Sequence, residues 1–466
     1  MIQRMKQRIL TAETPQHIDQ EVLVQGWVHA RRDHGKLLFI DLRDRSGLLQ
    51  IVFNPRVSEE AHKIAQTLRP EFVVSIKGKI NARPERLVNA KIASGTVELE
   101  ATQLEILAEA ETLPFDMGGE ELHLELPTLL DYRSLTLRHD KVRKIFLVQA
   151  AVAEGFRNAA KELDCTEIFV PTIAAGATEG GADVFKVDYY GHPAFMIQSP
   201  QLYKQMMVGV FERVSVITKA YRAEPSVTSR HLAEVTMIDI EMAFINSFEE
   251  LLDAVELVGT SIMKHVSEKH ADILADFGIQ KPLIPTQVPR LTLREAQAII
   301  TKRTGRDLSK EQDLNPEDEK EICLWAKEEH KSDFVTITHY PTKKRAFYTY
   351  PDPKDPEYSL SYDLLFKGTE ILSGSRRIND YQQLLTAMDE RGIDPDNFGM
   401  YLQAFKYGMP PEGGFSFGLE RITMKLLELS NVREASLFPR DMERVDERFS
   451  VIAAKSKTTK EENKKV

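Results

Sequence analysis

The chain is poor in cysteine, in long apolar runs and in net positive charge. Its two cysteines, Cys165 and Cys323, are too few for a disulfide framework or a thiolate metal cluster, which points to a reduced, cytoplasmic protein. No run approaches the roughly 20 apolar residues that cross a bilayer, so no membrane partner is expected. The opening MIQRMKQRIL lacks the apolar core of a signal peptide. A formal net charge of −10 excludes indiscriminate binding of nucleic acid, because that affinity comes from clustered Lys and Arg. A specific RNA partner stays open, since Arg31, Arg32, Lys36, Arg43 and Arg45 crowd one short segment. At 466 residues the chain is too long for one core, and two or three domains are expected.

Residues 21 to 108 read as an all-β unit. VLVQGWVHARR, KLLFIDLRD, LLQIVF, FVVSIKGKI and GTVELEATQLEIL are strand-like, with a short helix over Glu59 to Leu68. Five strands and one helix in this order predict an OB-fold barrel, whose face takes single-stranded oligonucleotides by stacking and edge hydrogen bonds. Phe39, an aromatic among basic residues, is the candidate stacker. Residues 109 to 138, with Pro114, Gly118, Gly119 and Pro127, read as a hinge. Val142, Ile145, Val152, Phe156, Ala159 and Leu163 then recur at helical spacing, and TEIFVP (166–171) reads as a strand ending in proline. From 246 to 305 the sequence looks helical; 306 to 331 is so charged that it reads as a solvated elaboration; and 446 to 466 reads as a disordered tail.

Three stretches carry chemistry. In YRAEPSVTSRHLAEVTMIDIE (221–241) two strands flank a polar loop holding Arg222, Glu224, Arg230, His231 and Glu234, a set of fixed charges suited to a phosphate-rich ligand. SYDLLFKGTEIL reads as a hairpin turning at Lys367 and Gly368, with Glu370 facing Leu365 and Asp363 on the same face; two such carboxylates repel unless a cation lies between them, although a wet surface pair is the alternative. GGFSFGLERI places Arg421 at a strand-to-helix junction, with Gly418 allowing close approach of a nucleotide.

Together with QSPQLYKQ (198–205), these stretches and TEIFVP resemble motifs 1, 2 and 3 of the class II aminoacyl-tRNA synthetases, and in particular the aspartyl-tRNA synthetases; the likeness runs from about 21 to 440. It implies an α+β fold: an N-terminal OB-fold barrel (1–108), the hinge (109–138), and a class II catalytic domain (139–445) built on an antiparallel sheet flanked by helices. It implies ligation of L-aspartate to tRNA(Asp) through an adenylate made from ATP, with Mg²⁺. It also implies a homodimer built on the motif 1 helix and strand. Carried over residue by residue, Arg222 and Arg421 become the catalytic arginines. Glu224, Arg230, His231, Leu232, Glu370 and Gly418 join them around ATP, and Asp363 and Glu370 hold the metal. Glu179, in the glycine-rich loop GATEGGADVF, closes over the amino acid, while Ser199, Gln201, Lys204, Asp239, Ser373 and Arg377 bind aspartate. Lys204 and Arg377 are the cations for its side-chain carboxylate, and two cations demand an anion.

On the barrel, Phe39 and Gln50 match the residues that stack on and read the central anticodon base, and Arg32, Arg83 and Asn89 match further contacts. Asn81 stands where the family has Arg, and Val235 where many relatives have the Phe that stacks on adenine. His34 accompanies enzymes that also charge tRNA(Asn), which makes that tRNA a second expected partner. The competing readings are an asparaginyl-tRNA synthetase and a non-catalytic RNA-binding paralogue.

Overall fold

A computed structural model describes residues 8–176, 184–224 and 228–450. The chain divides into two compact units, Met1–His123 and Leu124–Val466.

In the first unit, strands β1 (Glu21–His34), β2 (Leu37–Asp44), β3 (Gly47–Phe53), β4 (Val73–Ala82) and β5 (Val97–Ala108) close into a barrel in the order β1-β2-β3-β5-β4. Strict alternation makes it. In β2 Leu38, Ile40 and Leu42 are buried while Phe39, Asp41 and Arg43 point outward, because successive side chains leave a strand on opposite faces. The inward set packs with Val24, Ile51, Phe53, Val74, Ile76 and Leu99. Helix α1 (Glu59–Ala65) starts at Ser58, whose hydroxyl accepts from the Ala61 N–H at 3.2 Å.

The second unit is built on an eight-stranded sheet of β6 (Thr166–Glu167), β7 (Arg213–Tyr221), β8 (Glu234–Ala243), β9 (Arg290–Thr292), β10 (Phe334–Thr338), β11 (Ser361–Phe366), β12 (Thr369–Arg376) and β13 (Glu412–Gly418). Their order is β9-β10-β11-β12-β13-β8-β7-β6. Only the two edge pairings, β9 with β10 and β6 with β7, are parallel. One face is covered by α2 (Asp140–Glu162) and α4 (Phe248–Lys269), which bury Val148, Val152, Phe156, Val255, Val258 and Ile262 against Ile238, Ile240 and Phe417. Between these strands lies α3 (Gln201–Phe211), and α5 (Pro316–His330) and α6 (Leu419–Leu426) follow later in the chain. The helices take Ile238, Ile240 and Met242 of β8, which leaves Asp239 and Glu241 on the other face.

The structure departs from expectation in several places. Of TEIFVP only Thr166–Glu167 pairs as a strand, at the sheet edge beside β7, and Phe169 stands 88% exposed. Within 109–138, Leu126–Asp131 and Arg133–Thr136 are helical. There the buried Arg133 donates to the carbonyls of Glu434, Ser436 and Leu437, which fastens the start of this unit to its end. Residues 277–292, which include β9, interrupt the helical stretch expected over 246–305. At the head of the expected tail, Arg448 is paired with Asp131.

Candidate active site

Cross-strand register aligns one row of polar residues over the uncovered face. Asp363 on β11 faces Ser373 on β12, Ser373 faces Ser416 on β13, and Ser416 faces Asp239 on β8. Neighbouring strands are about 4.8 Å apart, so the row spans roughly 14 Å. One end is acidic and suits a cation. The other end meets Lys204 and Arg377.

At the acidic end the hairpin turns at Lys367–Gly368 and Leu365 faces Glu370, as expected. The register beyond it does not continue evenly, because a β-bulge at Leu364/Leu365 brings Asp363 opposite Ser373. Simple alternation from Ser373 would send Glu370 to the helix-covered face. The bulge turns it back, and Glu370 and Ile371 both line the cleft. The bulged backbone is pinned on both sides: the Glu370 N–H donates to Glu319 at 3.3 Å, and Arg421 donates to the Glu370 carbonyl at 3.1 Å. Burial, and after it the neighbouring Asp363 carboxylate, push the Glu370 carboxyl up to about 7, with Arg421 and Arg345 opposing. Asp363 Oδ2 accepts from Arg345 at 2.7 Å, while its buried Oδ1 has no hydrogen-bond partner. No cluster of three or more His, Cys, Asp or Glu able to hold a metal occurs among the described residues. The unpartnered Asp363 oxygen and the neighbouring Glu370 carboxylate are hard oxygen donors that would suit a Mg²⁺.

Glu319 and Arg345 escaped the sequence reading. Glu319 lies on α5, inside the stretch taken for a solvated elaboration, yet its carboxylate is half-buried and also pairs with Arg230 at 3.2 Å. That assignment of 306–331 is corrected for Glu319, although no sequence signal separates it from the other acids of KEQDLNPEDEKEICLWAKEEHK.

The cationic end is a closed quartet. Lys204, on the first turn of α3, is fully buried and pairs with Asp239 at 3.0 Å and Glu241 at 3.1 Å. Arg377 gives Glu241 bonds of 2.7 and 3.2 Å, and reaches Ser375 at 2.7 Å, the Gly414 carbonyl at 3.0 Å and Gln201 at 3.3 Å. Burial favours the neutral form of Glu241, but Arg377 and Lys204 outweigh it and hold this carboxyl below its usual range. Burial dominates at Asp239, which is raised. The two cations are therefore not a bare pair awaiting an anion, as the sequence implied, because Glu241 already neutralises them. Its place was legible in MIDIEMAF, two residues from Asp239 and so on the same face. Gly414 is required here: a Cβ would lie 2.2 Å from the Ile240 carbonyl and 2.3 Å from the Glu241 carboxylate. Ser199 accepts from the Gln201 N–H at 3.3 Å, and buried Gln201 Nε2 has no hydrogen-bond partner. Ser416 donates to Asp239 at 2.6 Å. Glu179 lies outside the described residues.

Between the two ends opens a cleft lined by Arg222, Arg230, Leu232, Val235, Met237, Glu370, Ser373, Gly418 and Arg421. Arg222 is set by its N–H bond to the Ala233 carbonyl at 2.9 Å, just past β7. His231 and Glu224 approach to 3.6 Å across the loop. At Gly418 a Cβ would make only ordinary contact with Arg421, at 3.5 Å, so nothing in the protein requires glycine there. Val235 and Met237 supply an apolar wall of the cleft.

On the barrel, Arg32 forms a two-pronged pair with Asp41 at 2.7 and 2.8 Å. Arg32 faces Phe39 across β1–β2, and Asp41 faces Gln50 across β2–β3. Gln50 donates to Glu98 at 2.8 Å and accepts from Arg83 at 3.4 Å. Arg32, Phe39, Gln50 and Arg83 thus share one surface. Asn89 is exposed and bonds the Lys91 N–H at 3.0 Å.

Known proteins resemble this chain over nearly its whole length. Residues 125–442 match the family described as tRNA synthetases class II (D, K and N), and residues 22–107 match the OB-fold nucleic acid binding domain. Proteins named Aspartate--tRNA(Asp/Asn) ligase are similar throughout. The one from Thermus thermophilus is 41% identical, over 94% of this chain and 99% of its own length, and the one from Methanocaldococcus jannaschii is 38% identical, over 96% and 100%. Among solved structures, asparaginyl-tRNA synthetase from Pyrococcus horikoshii complexed with asparaginyl-adenylate superposes with TM-score 0.86 at 30% identity, over 95% of this chain and 100% of that one. Aspartyl tRNA synthetase from Entamoeba histolytica gives 0.83 at 29%, over 94% and 92%. A barrel of the oligonucleotide-binding kind, a sheet carrying arginines and carboxylates over an open cleft, and matches spanning nearly the whole chain lead to one conclusion: the chain belongs to the class II tRNA synthetases of the D, K and N group.

Proposed function

We propose that this enzyme activates L-aspartate with ATP as aspartyl-adenylate and transfers it to tRNA(Asp), and to tRNA(Asn) as well. The observation that carries the choice of amino acid is the buried quartet. Lys204 and Arg377 against Asp239 and Glu241 sum to zero. Held as the adenylate, whose α-carboxyl is esterified to phosphate, aspartate adds to this pocket an ammonium, which takes Asp239, and a side-chain carboxylate, which takes Lys204; the sum over these groups stays zero. Asparagine held in the same way would add the ammonium alone and leave net charge in a buried site, a penalty of roughly 2 to 5 kcal/mol.

The first step needs no protein nucleophile. The substrate α-carboxylate attacks the α-phosphate and pyrophosphate leaves; in the second step a terminal tRNA hydroxyl displaces AMP. Arg222 is assigned to the α-phosphate, where a planar fork meets the developing charge, and Arg421 to the far end of the polyphosphate. Arg230, Glu224, His231 and Leu232 frame the nucleotide, with Val235 and Met237 against adenine. Mg²⁺ on Asp363 and Glu370 would neutralise phosphate charge. Ser199, Gln201, Ser373 and Glu179 complete the amino-acid pocket.

The barrel, residues 1–108, is assigned to the anticodon through Phe39, Gln50, Arg32, Arg83 and Asn89, and 139–445 to catalysis. His34, whose ring meets Phe39 edge-on at 6.4 Å, and the relatives' dual name support tRNA(Asn) as second acceptor. Exposed Phe169, Val210 and Phe244 support a homodimer, and two unpaired cysteines a reducing cytoplasm.

The test is aminoacylation with [¹⁴C]aspartate on separate tRNA(Asp) and tRNA(Asn) transcripts. Both should be charged. Charging of neither would overturn the assignment, charging of tRNA(Asp) alone would remove the second acceptor, and charging with [¹⁴C]asparagine instead would make the enzyme an asparaginyl-tRNA synthetase.

A further inference from the structure

Asp363 is held by a residue outside every stretch that marked the family. Arg345 follows a short turn at Thr342–Lys344, and its guanidinium makes three contacts at once. Nη2 donates to Asp363 Oδ2 at 2.7 Å, Nη1 donates to Ser373 Oγ at 3.0 Å, and the plane lies over the Tyr340 ring at 3.9 Å. Tyr340 is buried and Arg345 nearly so. The group is thus fixed in position and in orientation. A planar fork bridging a carboxylate and a hydroxyl does what a lysine's point charge cannot.

What this does to Asp363 is specific. One carboxylate oxygen is taken by Arg345, and the other, Oδ1, is buried without a hydrogen-bond partner. We propose that Arg345 is a positioning residue for the divalent cation: it fixes Asp363 so that Oδ1 is presented, beside Glu370, to a metal entering with ATP. The inference rests on the assignment of Asp363 and Glu370 as metal ligands made above. Two effects oppose each other at this position. Removing Arg345 takes away a positive charge, which alone would draw a cation in. It also strips Asp363, a buried carboxylate facing a second carboxylate, of its ion pair, and such a group relieves itself by turning away. The orientation prevails, because the residues that hold a metal ligand in place are worth tenfold to a hundredfold in metal affinity.

The experiment is Mn²⁺ binding to the full chain with ATP, followed by electron paramagnetic resonance, alongside calorimetric binding of ATP in excess EDTA. For Arg345→Met the Mn²⁺ dissociation constant should rise at least tenfold while metal-free ATP binds within twofold of wild type, which also shows that the cleft has folded. Arg345→Lys, keeping charge on Asp363 but losing the fork, should fall between. Mn²⁺ affinity that is unchanged or tighter in Arg345→Met, or metal-free ATP binding that weakens in parallel, would overturn the proposal. A wild-type chain without saturable Mn²⁺ binding in the presence of ATP would instead refute the metal site itself.

Discussion

Glu319 accepts, on one carboxylate oxygen, both the backbone N–H of Glu370 at 3.3 Å and the guanidinium of Arg230 at 3.2 Å. It therefore couples the bulge that turns Glu370 into the cleft to the loop that carries Arg230. Hydrogen bonds to a charged group contribute about 1.5 to 3 kcal/mol. Glu319→Ala should raise the ATP KM in ATP–pyrophosphate exchange by about tenfold to a hundredfold, with a smaller change in the aspartate KM. Equal changes in both constants would mean that Glu319 supports the whole fold and not this corner.

Lys204→Met tests the quartet. The variant keeps the stem and leaves Asp239 and Glu241 facing without their shared cation, a loss of about 3 to 5 kcal/mol for a buried pair. Part of that should appear as a lowered melting midpoint. The aspartate KM should rise by two orders of magnitude or more in exchange assays on protein that is still folded by near-ultraviolet circular dichroism. An unchanged KM would sink the aspartate assignment.

What the sequence showed and what it hid divide along a physical line. Arg421, Asp363 and Lys204 sit in regular elements and Arg222 directly follows β7; all four lie in contiguous stretches that resemble family motifs, and that resemblance was enough to find them. Glu370 was found, but the reason it faces the cleft was not, because one extra residue in β12 reverses the alternation and nothing in SYDLLFKGTEIL announces a bulge. Arg345 and Glu319 were missed because they reach the site from segments remote in sequence, by tertiary contact alone. Glu241 was missed for another reason: a functional site was expected to need bare cations, whereas burial made their counterion part of it.

Glu412 makes a prediction about pH. It is completely buried, accepts from Gln205 at 2.9 Å, and has Oε2 without a hydrogen-bond partner. Burial first, and the Glu241 carboxylate second, push its carboxyl well above the ordinary 4.5. The folded chain then keeps a proton that the unfolded chain releases above pH 4.5. Stability from this group is complete below that pH and falls as pH rises, by about 1.4 kcal/mol per unit until the folded carboxyl itself titrates. Glu412→Gln, neutral in both states, lacks that loss. The variant should gain on wild type between pH 5 and 7 in guanidinium midpoints; parallel profiles would show that Glu412 is ionised in the fold.

Phe39 offers a test of the barrel apart from the catalytic cleft. It points outward from β2, half-buried, in register with Arg32, whose guanidinium is held by Asp41. A base stacked on the ring would gain about 1 to 3 kcal/mol, while the arginine fixes the backbone without reading it. Phe39→Ala should raise the tRNA KM about tenfold to a hundredfold and leave ATP–pyrophosphate exchange, which needs no anticodon, at the wild-type rate. Gln50→Ala should instead narrow the gap between the cognate tRNA and one altered at the central anticodon base, since it removes an edge contact and not a stack. If Phe39→Ala slows exchange as much as charging, the ring is a structural residue of the barrel and the anticodon assignment loses its main support.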